Sequence, residues 1–374
     1  MSKKRIKIRV EGEILRKIRE EYFEGSIEEA AEKLKAIFGW DGEKMKSKLE
    51  EWERKGAELT PRQIEEIADR YTVSVAMLLL PEMSLVPPRK TRYDHRLYSR
   101  EIPYSDRLWI RRAEVIQEIL EAEGYGGQLP KIKITRNNVR EVARNIRKHI
   151  KFTEEVQRNV EDPVKALREE FERMGIYVLL VPMDAGSIGG FAVGGRVPII
   201  GINTKDRPVR QLFTLAHELC HVLMSDSIDI CPSQEQAEEN VEALCNEFAG
   251  EFLLPIDVAL REWRLWNHLP LSQRLKKIAE NYHVSQDVVF IRLIRAGILS
   301  WKEYEDWNSN RPEIEEKKLT GRGGKYVYNI RKWYGEVLPA IIYNLVKYGK
   351  VSGGTAGWCL RDKDLRNVRR LVTV

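Results

Sequence analysis

Apolar residues three and four apart divide residues 12–80 into five short helical pieces. The first runs Glu13–Tyr22 with Ile14, Leu15 and Ile18 on one face, and the second Ser26–Leu34, capped by Ser26 and lined by Ala30, Ala31 and Leu34. Glu43–Lys55 is the third. Thr60-Pro61 opens the fourth, Thr60–Tyr71, which carries Ile64, Ile67 and Ala68, and the fifth, Ser74–Leu80, stops at Pro81. Tyr104–Met174 is helical and charged, with Asp162-Pro163 starting its last helix. The pattern then changes. Ile176–Pro182 is a continuous apolar run, the mark of a buried strand, and Gly190–Val193 and Val197–Ile202 are two further short strands. Glycine-rich turns at Gly186–Gly190 and Gly194-Gly195 predict a small meander.

Helical spacing returns at Leu212, Phe213, Leu215, Ala216, Leu219, Val222 and Leu223, after start signals at Asp206 and Pro208. Pro232-Ser233 opens a second helix here, which runs to about Leu253 before Pro255. Further on, Ile278–Ser285 echoes Ile67–Ser74 and continues as Asp287–Ala296 into Gly297. Leu319–Val374 reads as helices with glycine turns at Gly321–Gly324 and Gly353-Gly354. The fold class is therefore α+β, a mainly helical multidomain chain. The expected boundaries are 1–86, a linker at 87–104, a central domain at 105–262 and a helical C-terminal domain at 263–374.

The first of these central helices carries His217-Glu218-Leu219-Cys220-His221. Residues i and i+4 leave an α-helix on one face, so both imidazoles can reach one tetrahedral metal. Glu218 stands where zinc hydrolases of this spacing place the base that takes a proton from water. The competing reading of these five residues is a core helix with two hydrogen-bonded histidines. A catalytic zinc needs a third protein ligand and an open fourth position. On the next helix Glu242, Cys245, Asn246 and Ala249 share one face, which makes Glu242 the best third ligand. Asn246, one turn on, can fix a histidine ring by a hydrogen bond. Glu235, Glu238, Glu239 and Glu247 are expected on the solvated face.

Phe213-Thr214-Leu215-Ala216-His217-Glu218-Leu219-Cys220-His221, then Glu242-Ala243-Leu244-Cys245-Asn246-Glu247-Phe248-Ala249, then Phe252-Leu253-Leu254-Pro255 resembles the ImmA/IrrE-type metallopeptidases. Cys220 and Cys245 stand where that pattern more usually has glycine and alanine. The resemblance implies a zincin-like domain with His217, His221 and Glu242 as metal ligands and Glu218 as general base. It implies zinc, with manganese as the alternative, and helix-turn-helix repressors as substrates, whose cleavage would derepress mobile-element or stress genes. An edge strand of the small sheet is expected to receive the peptide by strand addition.

Trp52-Glu53-Arg54-Lys55-Gly56, Thr60-Pro61 and Ile67–Ser74 are similar to the phage-repressor type of helix-turn-helix. The signature carries one extra residue, and the turn at Ile37–Gly42 is longer than usual. By this resemblance Glu43–Lys55 is the groove-entering helix, with Lys44, Lys46 and Lys48 as DNA contacts. Glu43, Glu50 and Glu51 on the same helix repel phosphate, and the competing reading is a module kept for protein contacts after losing DNA binding, including dimerisation with a repressor of the same fold.

Net charge is only +6 over 374 residues, so no polyanion footprint covers the molecule. Basic residues gather at Lys3–Arg9 and at Arg89–Arg100, the second group reading as a basic linker. No apolar run reaches about 18 residues and the N-terminus lacks a hydrophobic signal segment, so a cytoplasmic protein without membrane contact is expected. The four cysteines, Cys220, Cys231, Cys245 and Cys359, match no common zinc-ligand spacing and are expected as reduced thiols. Two functions compete on these grounds. One is a zinc metalloendopeptidase that makes site-specific cuts in a regulatory protein. The other is a DNA-binding transcription regulator or antitoxin whose metal domain does not catalyse. Either is compatible with a homodimer.

Overall fold

The computed structural model describes residues 6–20, 26–71, 73, 75–79, 104–127, 129, 132–183, 188–224, 228–232, 241–311, 326–361 and 368–369. The chain divides into two compact units: residues 1–92, 326–331 and 336–374 form one, and residues 93–325 and 332–335 the other. The linker expected at 87–104 and the glycine turn at 321–324 lie almost wholly outside the described residues.

The first unit opens with β1 (Ile8–Val10), α1 (Gly12–Ile18), α2 (Ile27–Phe38), α3 (Gly42–Lys55), β2 (Ala57–Leu59), α4 (Pro61–Tyr71) and α5 (Val75–Leu79). Ser26 and Glu29 cap α2 reciprocally, each side chain taking the other's backbone N–H at 3.2 and 3.0 Å. Helix α2 runs to Phe38, four residues beyond the sequence expectation. Gly39 then turns the chain at φ 66°, a left-handed conformation that costs glycine little, and Asp41 accepts the Lys44 N–H at 2.8 Å to start α3. The turn between the helices is therefore Gly39–Asp41, shorter than the sequence indicated and of helix-turn-helix length. Leu15, Leu34, Met45, Leu49, Ile67 and Tyr71 close the core of this unit. Strands β1 and β2 pair antiparallel, with Val10 opposite Ala57. The sequence reading missed this pair because three-residue strands are too short to display alternation.

The second unit begins with α6 (Tyr104–Ala122), α7 (Val139–His149), α8 (Glu154–Asn159) and α9 (Pro163–Arg173). Then come β3 (Tyr177–Val181), β4 (Ile188–Val193), β5 (Ile199–Asn203), α10 (Pro208–Met224), β6 (Ile228–Pro232) and α11 (Val241–Leu253). The helices α12 (Ile256–Leu265), α13 (Leu271–Tyr282), α14 (Gln286–Arg295) and α15 (Trp301–Ser309) complete its main body. The remaining helices are α16 (Tyr326–Tyr334), α17 (Val337–Lys347) and α18 (Gly353–Cys359), the last two in the first unit.

The sheet order is β3-β5-β4-β6. This corrects the expected meander: β4 and β5 form the antiparallel hairpin, but β3 pairs with β5 in parallel, Leu179 opposite Gly201. The apolar run at 176–182 marks a strand buried on both faces but is silent about its neighbour. Gln117 of α6 pins the hairpin, its amide donating to Gly194 O at 2.6 Å and Val197 O at 2.8 Å. Helix α10 lies across β4 and β5 and packs against α9 and α11, while α7 and α14 pack against α11. One apolar core runs through all these elements and into α13 and α14, so it continues past residue 262. Phe152, Phe252 and Phe248 stack through it at 6.2 and 6.0 Å between ring centres. Truncating Phe252 would cost about 3–5 kcal/mol by the usual scale for a buried aromatic. Among the described residues no helix is long and apolar enough to cross a membrane.

Candidate metal centre

Pro208 sits in the first turn of α10, where its missing N–H costs nothing and its fixed φ suits the helix. Gln211 secures the start, donating to Asp206 O at 2.7 Å. From Leu212 onward nearly every residue is buried, His217, Glu218 and His221 included. The i, i+4 spacing sets the two imidazole rings 5.0 Å apart, with their Nε2 atoms separated by 3.1 Å. Two donors about 2.0–2.1 Å from one tetrahedral zinc would stand about 3.3 Å apart, so this pair fits such an ion.

Helix α11 presents the third donor. Glu242 Oε2 lies 3.1 Å from His217 Nε2, and Oε1 lies 3.3 Å from His221 Nε2. Burial alone would raise this carboxyl, but hydrogen bonds and attraction from both histidines hold it well below the usual carboxylate range. Asn246 Oδ1 sits 3.0 Å from His217 Nδ1. An amide oxygen only accepts, so Nδ1 carries a proton, and Nε2 is the nitrogen that would give its lone pair to a metal once it releases its proton beside Glu242. Three hard-to-borderline donors converge on one point, and the residues therefore fit a divalent metal.

Glu218 is completely buried beside this point, against the sheet. A Cβ on Gly190 of β4 would stand 2.7 Å from Thr214 Cγ2, 2.9 Å from Gly201 O and 3.0 Å from Glu218 Oε1. Only glycine at 190 lets α10 lie this close to β4. The sequence reading took Gly190 as turn and strand material; its three-way contact depends on distant residues and leaves no local signal.

The back of α11 is held by charge. Arg292 of α14 donates to Glu247 Oε1 at 3.0 Å and pairs with Glu251; its Nε donates to Leu254 O at 3.1 Å. From α7, Arg140 meets Glu247 at 2.7 Å and Arg144 meets Glu251 at 2.5 Å. Glu247 is thus largely covered rather than on the solvated face expected for it, because three arginines from α7 and α14 converge on it. Glu235, Glu238 and Glu239 lie outside the described residues, as does Ser233.

Cys245, on the same face as Glu242 and Asn246, is buried and reduced, and its Sγ belongs to the cluster of possible donors with His217 and His221. The neighbouring Cys220 thiol and burial push it well above the ordinary thiol range. The candidate DNA contacts lie in the other unit. Lys44 is exposed over the Trp40 ring at 5.4 Å, Lys46 pairs with Glu28 at 2.7 Å, and Lys48 pairs with Glu51 at 2.5 Å.

Residues 171–293, from α9 into α14, match the family described as the IrrE N-terminal-like domain of the M78 peptidases. The radiation response metalloprotease IrrE of Deinococcus deserti is 33% identical over 93 residues, which are 23% of this chain and 32% of that relative. Its counterpart from Deinococcus radiodurans is 32% identical over 93 residues, 23% of this chain and 28% of that relative. The chain spans about a third of the length of the curated relatives it matches. The matched stretch holds both histidines, Glu218, Glu242, Cys245 and Asn246, and with it this chain carries an ImmA/IrrE-type metallopeptidase domain.

Proposed function

We propose that this chain is a zinc-dependent metalloendopeptidase that cuts a regulatory protein at specific sites, a helix-turn-helix transcriptional repressor being the substrate class. The observation that carries the reading is the convergence of His217 Nε2, His221 Nε2 and the Glu242 carboxylate, with Glu218 buried beside them. His217, His221 and Glu242 would hold the ion, zinc by donor type with manganese as the alternative, and Asn246 keeps the His217 ring turned toward it. When bound, the metal supplies Lewis acidity toward the peptide carbonyl and acidifies water. Glu218 takes the proton of the attacking water and returns it to the leaving amide nitrogen. Its burial excludes competing solvent and strengthens its electrostatic interactions at short range.

A peptide substrate would enter as an added strand. Strand β4, which abuts Glu218, is paired on both sides, so among the described residues the edges of the sheet are β3 and β6. Substrate added beside β4's outer neighbour would pair with β6.

The N-terminal unit would serve to find the target. Its short Gly39–Asp41 turn supports a helix-turn-helix, while the Lys46–Glu28 and Lys48–Glu51 pairs leave two of the three lysines already matched within the unit. This favours docking on a repressor of the same fold over strong DNA binding of its own, and control of gene expression then follows from the cleavage. The competing reading, a regulator or antitoxin whose metal domain binds or senses without catalysing, leaves Glu218 without a role.

Metal content of the purified chain tests the proposal. About one zinc per chain is expected, and none in a His217→Ala/His221→Ala double variant. A wild-type chain that carries no metal and takes up neither zinc nor manganese would leave the regulator reading standing.

A further inference from the structure

Three donors satisfy a catalytic zinc, yet a fourth possible donor, Cys245, stands near the two histidines among them. Cys245 is completely buried on α11, one turn from Glu242 and beside Asn246. Its Sγ and one ring nitrogen each of His217 and His221 all lie within 4.8 Å of one another. A zinc–thiolate bond is about 2.3 Å and a zinc–imidazole bond about 2.0–2.1 Å, so a sulfur and a nitrogen on one tetrahedral ion stand about 3.6 Å apart. A side-chain adjustment of about 1 Å brings the cluster to that spacing. Sulfur and imidazole are both favoured zinc donors, and thiolate is the softest donor within reach of these histidines.

We propose that Cys245 is a fourth protein donor, so that His217, His221, Glu242 and Cys245 together close the metal centre in the resting chain. The proposal rests on the metallopeptidase reading above and adds its regulation. On binding, the thiol proton leaves to solvent and the sulfur lone pair forms the bond to the metal; no oxidant or reductant takes part. Four protein donors make the closed arrangement of structural zinc sites, and three with an open position make the catalytic one. Departure of Cys245, its sulfur taking a proton back from water, therefore admits water beside Glu218, and its return with loss of that proton shuts the site. Cys220 lies next to Cys245 on the facing helix but is not among the clustered donors, and it serves as the control thiol.

Cobalt(II) in place of the native metal in the full chain separates the possibilities. Visible ligand-field bands report that the ion is bound, and a near-ultraviolet sulfur-to-cobalt charge-transfer band reports the thiolate bond. The wild type is expected to show both. Cys245→Ala and the size-conserving Cys245→Ser should keep the visible bands, lose the charge-transfer band and bind cobalt at least about tenfold more weakly. Cys220→Ala should keep both features. Added azide should shift the visible bands in the two Cys245 variants, where a position is open, and leave the wild type unchanged. Visible bands without a charge-transfer band in the wild type would overturn the role of Cys245 and leave the metal centre standing. So would a charge-transfer band that survives Cys245→Ser and disappears in Cys220→Ala. No visible bands in the wild type would sink the metallopeptidase reading itself, and this proposal with it.

Discussion

Asn246 accepts a hydrogen bond from His217 across the interface of α10 and α11, Oδ1 to Nδ1 at 3.0 Å, and thereby decides which nitrogen of the ring faces Glu242. The bond both orients the imidazole and selects its tautomer. Partners of this kind behind a ligating histidine are worth about 10–100-fold in metal affinity. Asn246→Ala should therefore weaken zinc binding by about that factor in a competition titration against a chromophoric chelator. The fold should be unaffected, since the Asn246 side chain is exposed. Wild-type affinity in the variant would mean that something else holds the His217 ring.

Glu218 and the donors are separable by one isosteric change. Glu218→Gln keeps the size of the side chain and removes its basicity, so metal stoichiometry should stay at the wild-type level. Cleavage of the proposed repressor substrate should fall by at least about 100-fold, the lower end of what a positioned general base supplies. A variant that still cuts at the wild-type rate would remove Glu218 from the reaction. A variant that leaves gene control intact would favour the non-catalytic regulator.

Gly190 is where the sheet and the site helix press hardest. The added methyl of Gly190→Ala would meet the Thr214 Cγ2 methyl at 2.7 Å and the Gly201 carbonyl at 2.9 Å, and the carbonyl is backbone that cannot yield without moving a strand. Overpacking of this kind costs about 1–3 kcal/mol. Chemical denaturation should show that loss, and residual activity should drop further because Glu218 Oε1 is the third atom in the way, at 3.0 Å. Adding Thr214→Ser deletes the Cγ2 methyl and should recover part of the stability. Strict additivity of the two changes would show that they do not share this contact.

What the chain discloses locally was legible, and what depends on distant partners was not. The spacing put His217 and His221 on one face of α10, and Glu242 and Asn246 on one face of α11, because helical periodicity turns sequence separation into direction; that the two faces meet left no local signal. Ser26 and Pro61 marked helix starts for equally local reasons. Strand order was hidden: the run at 176–182 would read the same whether β3 joined β4 or β5. Glu247 looked solvated because its three arginines come from about 107 residues before it in the chain and about 45 after it. Cys245 fell from view for a similar reason. Its spacing to other cysteines matches no zinc set, and its relevant neighbours are histidines on another helix.

The arginine clamp behind α11 makes a prediction about acid. Arg292 is almost fully buried, and burial brings its guanidinium down to about 10, yet it remains charged at neutral pH against Glu247 and Glu251. Burial would raise the Glu247 carboxyl, but attraction from Arg292 and hydrogen bonds from Arg140 and Arg292 outweigh it, and the group stays below its ordinary 4.5. A carboxyl whose folded value lies below its unfolded one contributes stability that is fully present above the unfolded value and is lost as pH falls through the folded one. The thermal midpoint of the wild type should therefore fall as pH drops from about 5 to about 3, and Glu247→Gln should flatten that decline. Parallel curves for the two proteins would show that Glu247 carries no such linkage. Arg292→Met is the harsher test, since it strips a cation from Glu251, which is completely buried and, among the described residues, then keeps Arg144 alone. Removing one partner of a buried pair costs about 3–5 kcal/mol. Because Glu242, Cys245 and Asn246 all ride on α11, loosening the helix from behind should also release the metal at a chelator concentration that the wild type withstands. Unchanged metal retention in a destabilised Arg292→Met chain would show that the clamp holds the fold without holding the site.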